Sequence, residues 1–374
     1  MAGLYIHIPF CRQACTYCDF HFSTSGVYRS AVVDGICKEL ELRKDYLDTN
    51  ELRSVYLGGG TPSQLKAVEL DSIMSSVNKH FNIAKNAEIT LEGNPDDLSK
   101  EYLKDLKSVG INRLSIGIQS FRNEDLNYMN RAHTAYQAEK SVLDAAYAGF
   151  EKMSVDLIYG IPGLDTKSWI SNFKKAAALP VDHLSCYSLT VEEGTPLSKY
   201  IKTGKSPKVD DDHAAEQFEL LQELAAENNF DHYEISNLAR NGAYAIHNSA
   251  YWKGLPYLGI GPSAHSFNGN SRRINIANNQ RYIKGIINEN ESPNEVEVID
   301  LPTRYNELVL TGLRTKNGIS KTDLIKLGKD YIQHFRKEAL ELPNKEWLIE
   351  TESNFSLTPK AWLQADGIAG RLFM

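Results

Sequence analysis

Nowhere in the 374 residues is there a run of the roughly 18 apolar side chains needed to cross a bilayer, so no membrane-spanning helix is expected. Met1 to Phe10 has no basic stretch, no long apolar run and no small-residue cleavage site, which speaks against a secretory signal and for a cytoplasmic protein. An excess of positive charge is also missing. Lys and Arg number 41 against 48 Asp and Glu, a net charge of −7. Broad attraction to nucleic acid or anionic lipid is therefore not expected. Lys326, Lys329, Arg336 and Lys337 give the tail some local basic character, too little to make nucleic acid a partner. There are only five cysteines, three of them within eight residues. In a reducing compartment that grouping suggests a metal site and not a disulfide framework. We find no internal repeat and no low-complexity segment. With 42% apolar and 24% charged residues, the composition is that of a globular chain.

What is present is alternation. Short β-rich runs at Leu4–Ile8, Ser54–Leu57, Glu88–Leu91, Arg113–Ile118, Met153–Ile158 and His183–Leu189 are separated by amphipathic helical stretches. Tyr28–Tyr46, for example, places Val32, Val33, Ile36, Cys37 and Leu40 on one helical face. Such alternation predicts a parallel sheet with right-handed crossovers. Six units suit an α/β fold built as an incomplete (β/α)6 TIM-like barrel over residues 1–200, with its chemistry at the carboxyl ends of the strands. After a hinge at Pro207 to Asp212, Asp212–Asn228 reads as one helix, followed by a Gly- and aromatic-rich stretch from Tyr233 to Phe267. Residues 201–300 are expected to pack on the barrel. Residues 301–374 read as a smaller α+β, winged-helix-like tail: three helices, a hairpin (Trp347–Glu350, Asn354–Leu357) and a last helix opened by Thr358-Pro359.

Cys11, Cys15 and Cys18 follow the first strand in a loop flanked by aromatic residues. Three thiolates without a fourth nearby suit a 4Fe–4S cluster with one iron left open. A zinc site completed by His7 or His21 is the alternative on spacing alone. Cys37, on an apolar helix face, and Cys186, inside a strand, read as core. Gly58-Gly59-Gly60-Thr61-Pro62 follows the second strand, and glycines there can let a ligand approach the backbone. It would equally serve as a tight turn into a helix. Glu92, Gln119 and Asp156 are polar residues within or at the ends of otherwise apolar strands, and together they point to one site at the barrel mouth.

The segment Tyr5-Ile-His-Ile-Pro-Phe-Cys11 through Cys18-Asp-Phe20 closely resembles the radical S-adenosylmethionine (SAM) proteins of the oxygen-independent coproporphyrinogen III oxidase superfamily, over essentially the whole chain. The resemblance implies that SAM ligates the fourth iron and is cleaved to a 5′-deoxyadenosyl radical, with electrons from a flavodoxin- or ferredoxin-type donor. It also implies SAM-binding roles for Tyr5, Tyr17, Gly59, Gly60, Thr61, Glu92, Gln119, Arg131 and Asp156. The oxidases carry a further cysteine where this chain has Phe20, and a sizeable segment before the barrel, whereas here the first strand begins near Leu4. Both differences are similar to the haem-chaperone branch of the superfamily. So are His247-Asn248-Ser-Ala-Tyr251-Trp252 and Tyr233-Glu-Ile-Ser-Asn237. That branch implies haem as cargo, acceptor haem proteins that include respiratory, membrane-associated ones, and His247 as a candidate axial ligand, with His265 competing. Radical decarboxylation of coproporphyrinogen III, and with it the status of an enzyme, stays open on the sequence.

Overall fold

The computed structural model describes residues Ala2 to Met374. Strands β1 (Ala2–Ile8), β2 (Glu51–Gly59), β3 (Asn82–Gly93), β4 (Arg113–Gln119), β5 (Lys152–Tyr159) and β6 (His183–Ser188) pair in parallel and in sequence order. Helices cross between them, several with a side-chain cap. Thr134 and Gln137 form a reciprocal capping box on Ala135–Tyr147, and Asp165 caps Thr166–Ala178. The strands alternate strictly. One face of each carries apolar residues such as Leu4, Ile6, Val55, Leu57, Leu114, Ile116, Val155 and Leu157, all fully buried. The other face lines the lumen with polar groups: Tyr5, His7, Ser54, Tyr56, Glu88, Thr90, Glu92, Arg113, Ser115, Ser154, Asp156, His183 and Ser185. Because side chains alternate along a strand, a polar row facing inward costs the outer core nothing.

The six strands make the incomplete barrel expected, since β1 and β6 do not pair with each other. Instead the sheet continues beyond residue 200. On the β6 side it adds β7 (Asp231–His232) and β8 (Asn237–Ala239), with β8 antiparallel to β6. On the β1 side come β9 (Tyr257–Ile260), parallel to β1, then antiparallel β10 (His265–Phe267), β11 (Ser271–Asn275) and β12 (Asn294–Val298). The stretch read as packing on the barrel thus extends both edges of its sheet. The buried Glu39 of the outer helix Arg29–Leu42 ties this extension down. Its carboxylate accepts from Gly261 N (2.8 Å), Tyr282 OH (2.8 Å), Asn275 Nδ2 (2.8 Å) and Arg43 Nη1 (3.1 Å). Between β8 and β9 the short helix Ile246–Trp252 closes the amino end of the barrel. Its first amides, Ile246 N and His247 N, donate to Glu88 at 3.0 and 3.1 Å.

The tail has helices Leu301–Leu313, Lys321–Leu327 and Lys329–Leu340 and a three-stranded sheet of β13 (Ile319–Ser320), β14 (Leu348–Glu350) and β15 (Asn354–Leu357). The last α-helix departs from expectation. Pro359–Gln364 is a 3₁₀ turn on which the Thr358 side chain makes no capping bond, and the α-helix starts only at Ala365. The tighter turn sets Ala361 and Trp362 side by side in the core. Among the described residues, no helix is long and apolar enough to cross a membrane.

Candidate iron–sulfur and cofactor site

The cysteine loop leaves β1 at the carboxyl end of the barrel and is held by its neighbours. Cys11 N bonds Ser23 O (3.0 Å), Thr16 N bonds Met129 O (3.1 Å), and Asn130 Nδ2 donates to Ala14 O (2.7 Å). Docking on residues 128–130 brings the following residue, Arg131, against the loop. Cys11, Cys15 and Cys18 are half-buried and unpaired, Cys37 is half-buried between two outer helices, and Cys186 is buried in β6. Burial pushes the Cys11 thiol up to about 11 and the Cys18 thiol up to about 12, so metal loading must displace protons.

The donor set fits a cluster better than a single zinc ion. Among the described residues, no three His, Cys, Asp or Glu side chains converge on one ion. His7 and His21, the fourth zinc ligands considered, are engaged elsewhere. His7 bonds Tyr5 OH (3.0 Å) and His21 O (2.9 Å), and His21 Nε2 bonds Asn279 Oδ1 (2.8 Å). A cubane, by contrast, takes each thiolate on a different iron and needs no such convergence.

A chain of hydrogen bonds links the cysteines around the mouth. Thr61 Oγ1 donates to Cys11 Sγ (3.3 Å) and accepts from Asn94 Nδ2 (3.4 Å). Asn94 Oδ1 accepts from Arg131 Nη2 (2.6 Å), and Arg131 Nη1 donates to Cys15 Sγ (3.4 Å). Burial alone would lower the Arg131 pKa, but the fields of Tyr17 and Cys15 outweigh it and keep the guanidinium charged. Its Nε–H is buried without a partner. A buried cation with an unsatisfied donor, beside Cys15 and Tyr17, suits the carboxylate of an amino-acid ligand. Asp97 anchors the same corner by accepting from Ser63 Oγ (2.8 Å), Gln64 Nε2 (2.6 Å) and Arg12 Nη2 (2.7 Å). Sequence reasoning missed Asn94 and Asp97. The polar run Glu92-Gly-Asn-Pro-Asp-Asp97 at a strand's carboxyl end was the available signal.

Deeper in the lumen, Glu92 accepts from Tyr56 OH (2.7 Å) and Gly59 N (3.2 Å), and burial pushes its pKa up to about 7. Burial likewise raises Asp156 to about 6, with Ser115 Oγ at 3.4 Å. Tyr5 lies here too, its ring centre 6.3 Å from that of Tyr56 and 6.4 Å from that of His247. Gln119 ends β4 in a left-handed conformation, φ 61°, which side chains other than glycine adopt at some cost. Its amide nitrogen lies 2.9 Å from where a Cβ on Gly117 would stand, with Arg131 Nη2 at 3.3 Å from that point.

The glycine turn serves the protein's own packing as well as any ligand. Gly59 has φ 108°, and a Cβ there would meet the His7 ring at 2.5 Å. A Cβ on Gly60 would lie 2.8 Å from Ile8 O and 2.9 Å from Phe10 N, so its bareness is demanded by the cysteine loop itself. Gly60 N and Thr61 N donate to Ile8 O and Phe10 O (2.9 and 2.8 Å), while Gly59 N is taken by Glu92. The amides of the turn are therefore not free to bind an anion.

His247 lies elsewhere. It is 2% exposed on the barrel floor, Nδ1 bonded to Ser54 Oγ (2.9 Å), Nε2 to Tyr251 OH (2.8 Å), its ring stacked on Tyr56. Burial, and secondarily Arg113, hold its pKa down to about 3. With both ring nitrogens hydrogen-bonded, it braces the floor. We expect His247→Ala to destabilise the protein by about 2–4 kcal/mol in denaturant titration, through the cavity and the orphaned Ser54 and Tyr251 hydroxyls, while iron content is retained.

Residues 5–175 match the Radical SAM superfamily and residues 299–363 the HemN C-terminal domain. The chain is similar in structure to coproporphyrinogen III oxidase (HemN) from Escherichia coli, with TM-score 0.85 over 100% of this chain and 90% of that one, at 21% identity. It is 31% identical to the heme chaperone HemW of Lactococcus lactis, over 96% of this chain and 93% of the relative. It is 32% identical to the HemW of Bacillus subtilis, over 99% and 98%. Fold and sequence together make this a radical SAM protein, a class that implies an iron–sulfur cluster and SAM. Within that class, the chain belongs to the HemW family.

Proposed function

We propose that this chain is a cytoplasmic haem chaperone that binds haem and passes it to acceptor haem proteins, with a 4Fe–4S cluster on Cys11, Cys15 and Cys18 and with SAM at the barrel mouth. The observation that carries the reading is likeness, over nearly the whole length of both chains, to relatives named as heme chaperones. Phe20, where the oxidases have a further cysteine, supports it.

When bound, the cluster supplies an open iron for SAM and one electron at a time from a flavodoxin- or ferredoxin-type donor. The chain's own groups bind and orient. Arg131 offers its spare N–H to the SAM carboxylate. Glu92, Asp156 and Gln119 present polar atoms to the rest of the cofactor, with Tyr5 and Tyr17 beside it. Thr61 steadies Cys11.

The test is anaerobic, on cluster-loaded protein. It is titrated with haem in the presence and absence of SAM, offered an apo-haem acceptor, and separately incubated with coproporphyrinogen III, SAM and reductant. Stoichiometric haem binding and transfer are expected. Protoporphyrinogen formed with SAM consumed in proportion would restore the oxidase reading.

Glu92 allows a pH test. Its pKa is raised on folding from the ordinary 4.5 to about 7, so the folded chain holds the extra proton, and the stability it contributes falls as pH rises through that window. Glu92→Gln removes this loss. The difference in melting temperature between variant and parent, both metal-free, should grow in the variant's favour from pH 4.5 to 7 and then level off. SAM affinity of the cluster-loaded variant should fall about 10- to 150-fold, as for a lost charge-assisted hydrogen bond of about 1.5–3 kcal/mol. Equal SAM affinity would place the cofactor away from Glu92.

A further inference from the structure

β4 does not end as regularly as it begins. Ile116 pairs with Val155 of β5, but the next paired residue is Gln119, opposite Leu157, so three steps along β4 face two along β5. The surplus residue makes a bulge, a device that re-aims a side chain where a strand runs out. The bulge is closed by a bond from Ser120 N to Ile118 O at 2.7 Å, around Gln119 with φ 61°. A bond between residues two apart around a positive φ is a γ-turn of the rare, strained hand. Such a turn persists only where its surroundings hold both arms.

Both arms are held. Beyond the turn, Ser120 Oγ donates to Asp125 Oδ2 (2.6 Å) and accepts from Asn172 Nδ2 (2.9 Å), while Phe121 N donates to Asn172 Oδ1 (3.1 Å). Before it, Ile118 O accepts a second bond, from His133 Nε2 at 3.0 Å. A carbonyl only accepts, so Nε2 carries the ring's proton. The ring is buried, and its Nδ1 has no partner, so its one hydrogen-bonded tie is to the turn. Burial, with Arg131 second, holds the His133 pKa down to about 4, and the ring is a neutral donor at pH 7.

His133 also ends a segment that touches the rest of the site. Tyr128 O and Met129 O accept from Thr16 of the cysteine loop, and Asn130 Nδ2 donates to Ala14 O. Arg131 Nη2 donates to Gly117 O at 2.8 Å. Gln119 folds back over the same glycine, where a Cβ would stand 2.9 Å from its amide nitrogen and 3.3 Å from Arg131 Nη2. The turn thus sets the Gln119 amide beside the guanidinium.

We infer that His133 is a positioning residue of the cofactor site: by donating to Ile118 O it holds the γ-turn that sets the Gln119 amide beside Arg131. The inference rests on the reading of SAM at the barrel mouth. No bond to the cofactor and no proton transfer is asked of His133, which acts through Gln119.

The experiment is anaerobic equilibrium binding of SAM to the full, cluster-loaded chain, normalised to iron. It is read together with the change that SAM causes in the electron paramagnetic resonance of the reduced cluster. His133→Leu removes the donor and keeps much of the volume, so SAM affinity should fall about tenfold with iron retained. His133→Gln, whose amide can stand where Nε2 does, should recover most of the loss, and His133→Asn, too short to reach Ile118 O, should not. That pair carries the test if the Leu variant does not fold. Gln119→Ala should also cost about tenfold, and the double variant little more, because a residue acting through another adds nothing once that other is gone. A general loosening of the fold would instead multiply the two losses, to about a hundredfold. A parent that loads its cluster and binds no SAM sinks the cofactor reading. A parent that binds SAM, with His133→Leu or His133→Asn binding it as tightly, overturns this inference alone. So does Gln119→Ala with unaltered affinity, or a double variant weakened by the full product.

Discussion

Replacing any one of Cys11, Cys15 or Cys18 by Ala is expected to abolish the visible charge-transfer absorbance of the reconstituted protein and most of its iron. Three thiolates are the fewest that hold a cubane while leaving one iron open, so losing one leaves two points of attachment. The loop itself should survive. It is held by backbone and amide bonds to Ser23, Met129 and Asn130, not by the sulfurs, and the three side chains are only half-buried. Melting temperatures of the metal-free variants should therefore stay close to that of the parent. Cys37→Ala and Cys186→Ala serve as controls. Cys37 gives its thiol to Ser72 O (3.6 Å), and Cys186 sits in the core of β6. Neither should lower iron per chain, although Cys186→Ala should cost some stability through its cavity. Iron lost from either control as fully as from the loop variants would show the ligand set to be wrong.

The next largest effect is expected at Arg131. Replacement by Met keeps much of the volume and removes the buried cation with its unpartnered Nε–H. If that donor meets the carboxylate of SAM, affinity should fall about 10- to 150-fold, the equivalent of about 1.5–3 kcal/mol for a charge-assisted bond. Lys should recover only part of it, since an ammonium cannot reach Asn94, Gly117 and Cys15 as the guanidinium does, at 2.6, 2.8 and 3.4 Å. Equilibrium SAM binding, normalised to iron content, separates this from damage to the cluster. A variant with full iron and unaltered SAM affinity would remove Arg131 from the cofactor site.

Gly60 shows how a sequence reading can name the right residue for an incomplete reason. A bare backbone in a Gly-Gly-Gly-Thr-Pro turn suggests room for a ligand, and nothing in the neighbouring residues says otherwise. The contact that forbids a Cβ there comes from Ile8 and Phe10, which reach it only when β1 and β2 pair in register. Gly60→Ala should accordingly displace the cysteine loop as well as disturb SAM.

Features carried by consecutive residues were legible in the sequence. The six barrel strands could be found because each has a buried outer row with period two, bounded by helices with period 3.6. The cysteine loop and glycine turn could be found because their spacing is itself the chemistry. Glu92 and Asp156 stood out as polar residues in apolar strands. Only the tertiary structure decided how the sheet continues past β1 and β6, since strands of two to five residues carry too little pattern and take their register from distant partners. It also decided the fate of His247. The same His-Asn-x-x-Tyr-Trp stretch could leave an imidazole in solvent or seal it in a floor. The choice is made by Ser54 and Glu88, 193 and 159 residues away in the chain, which no local pattern can report.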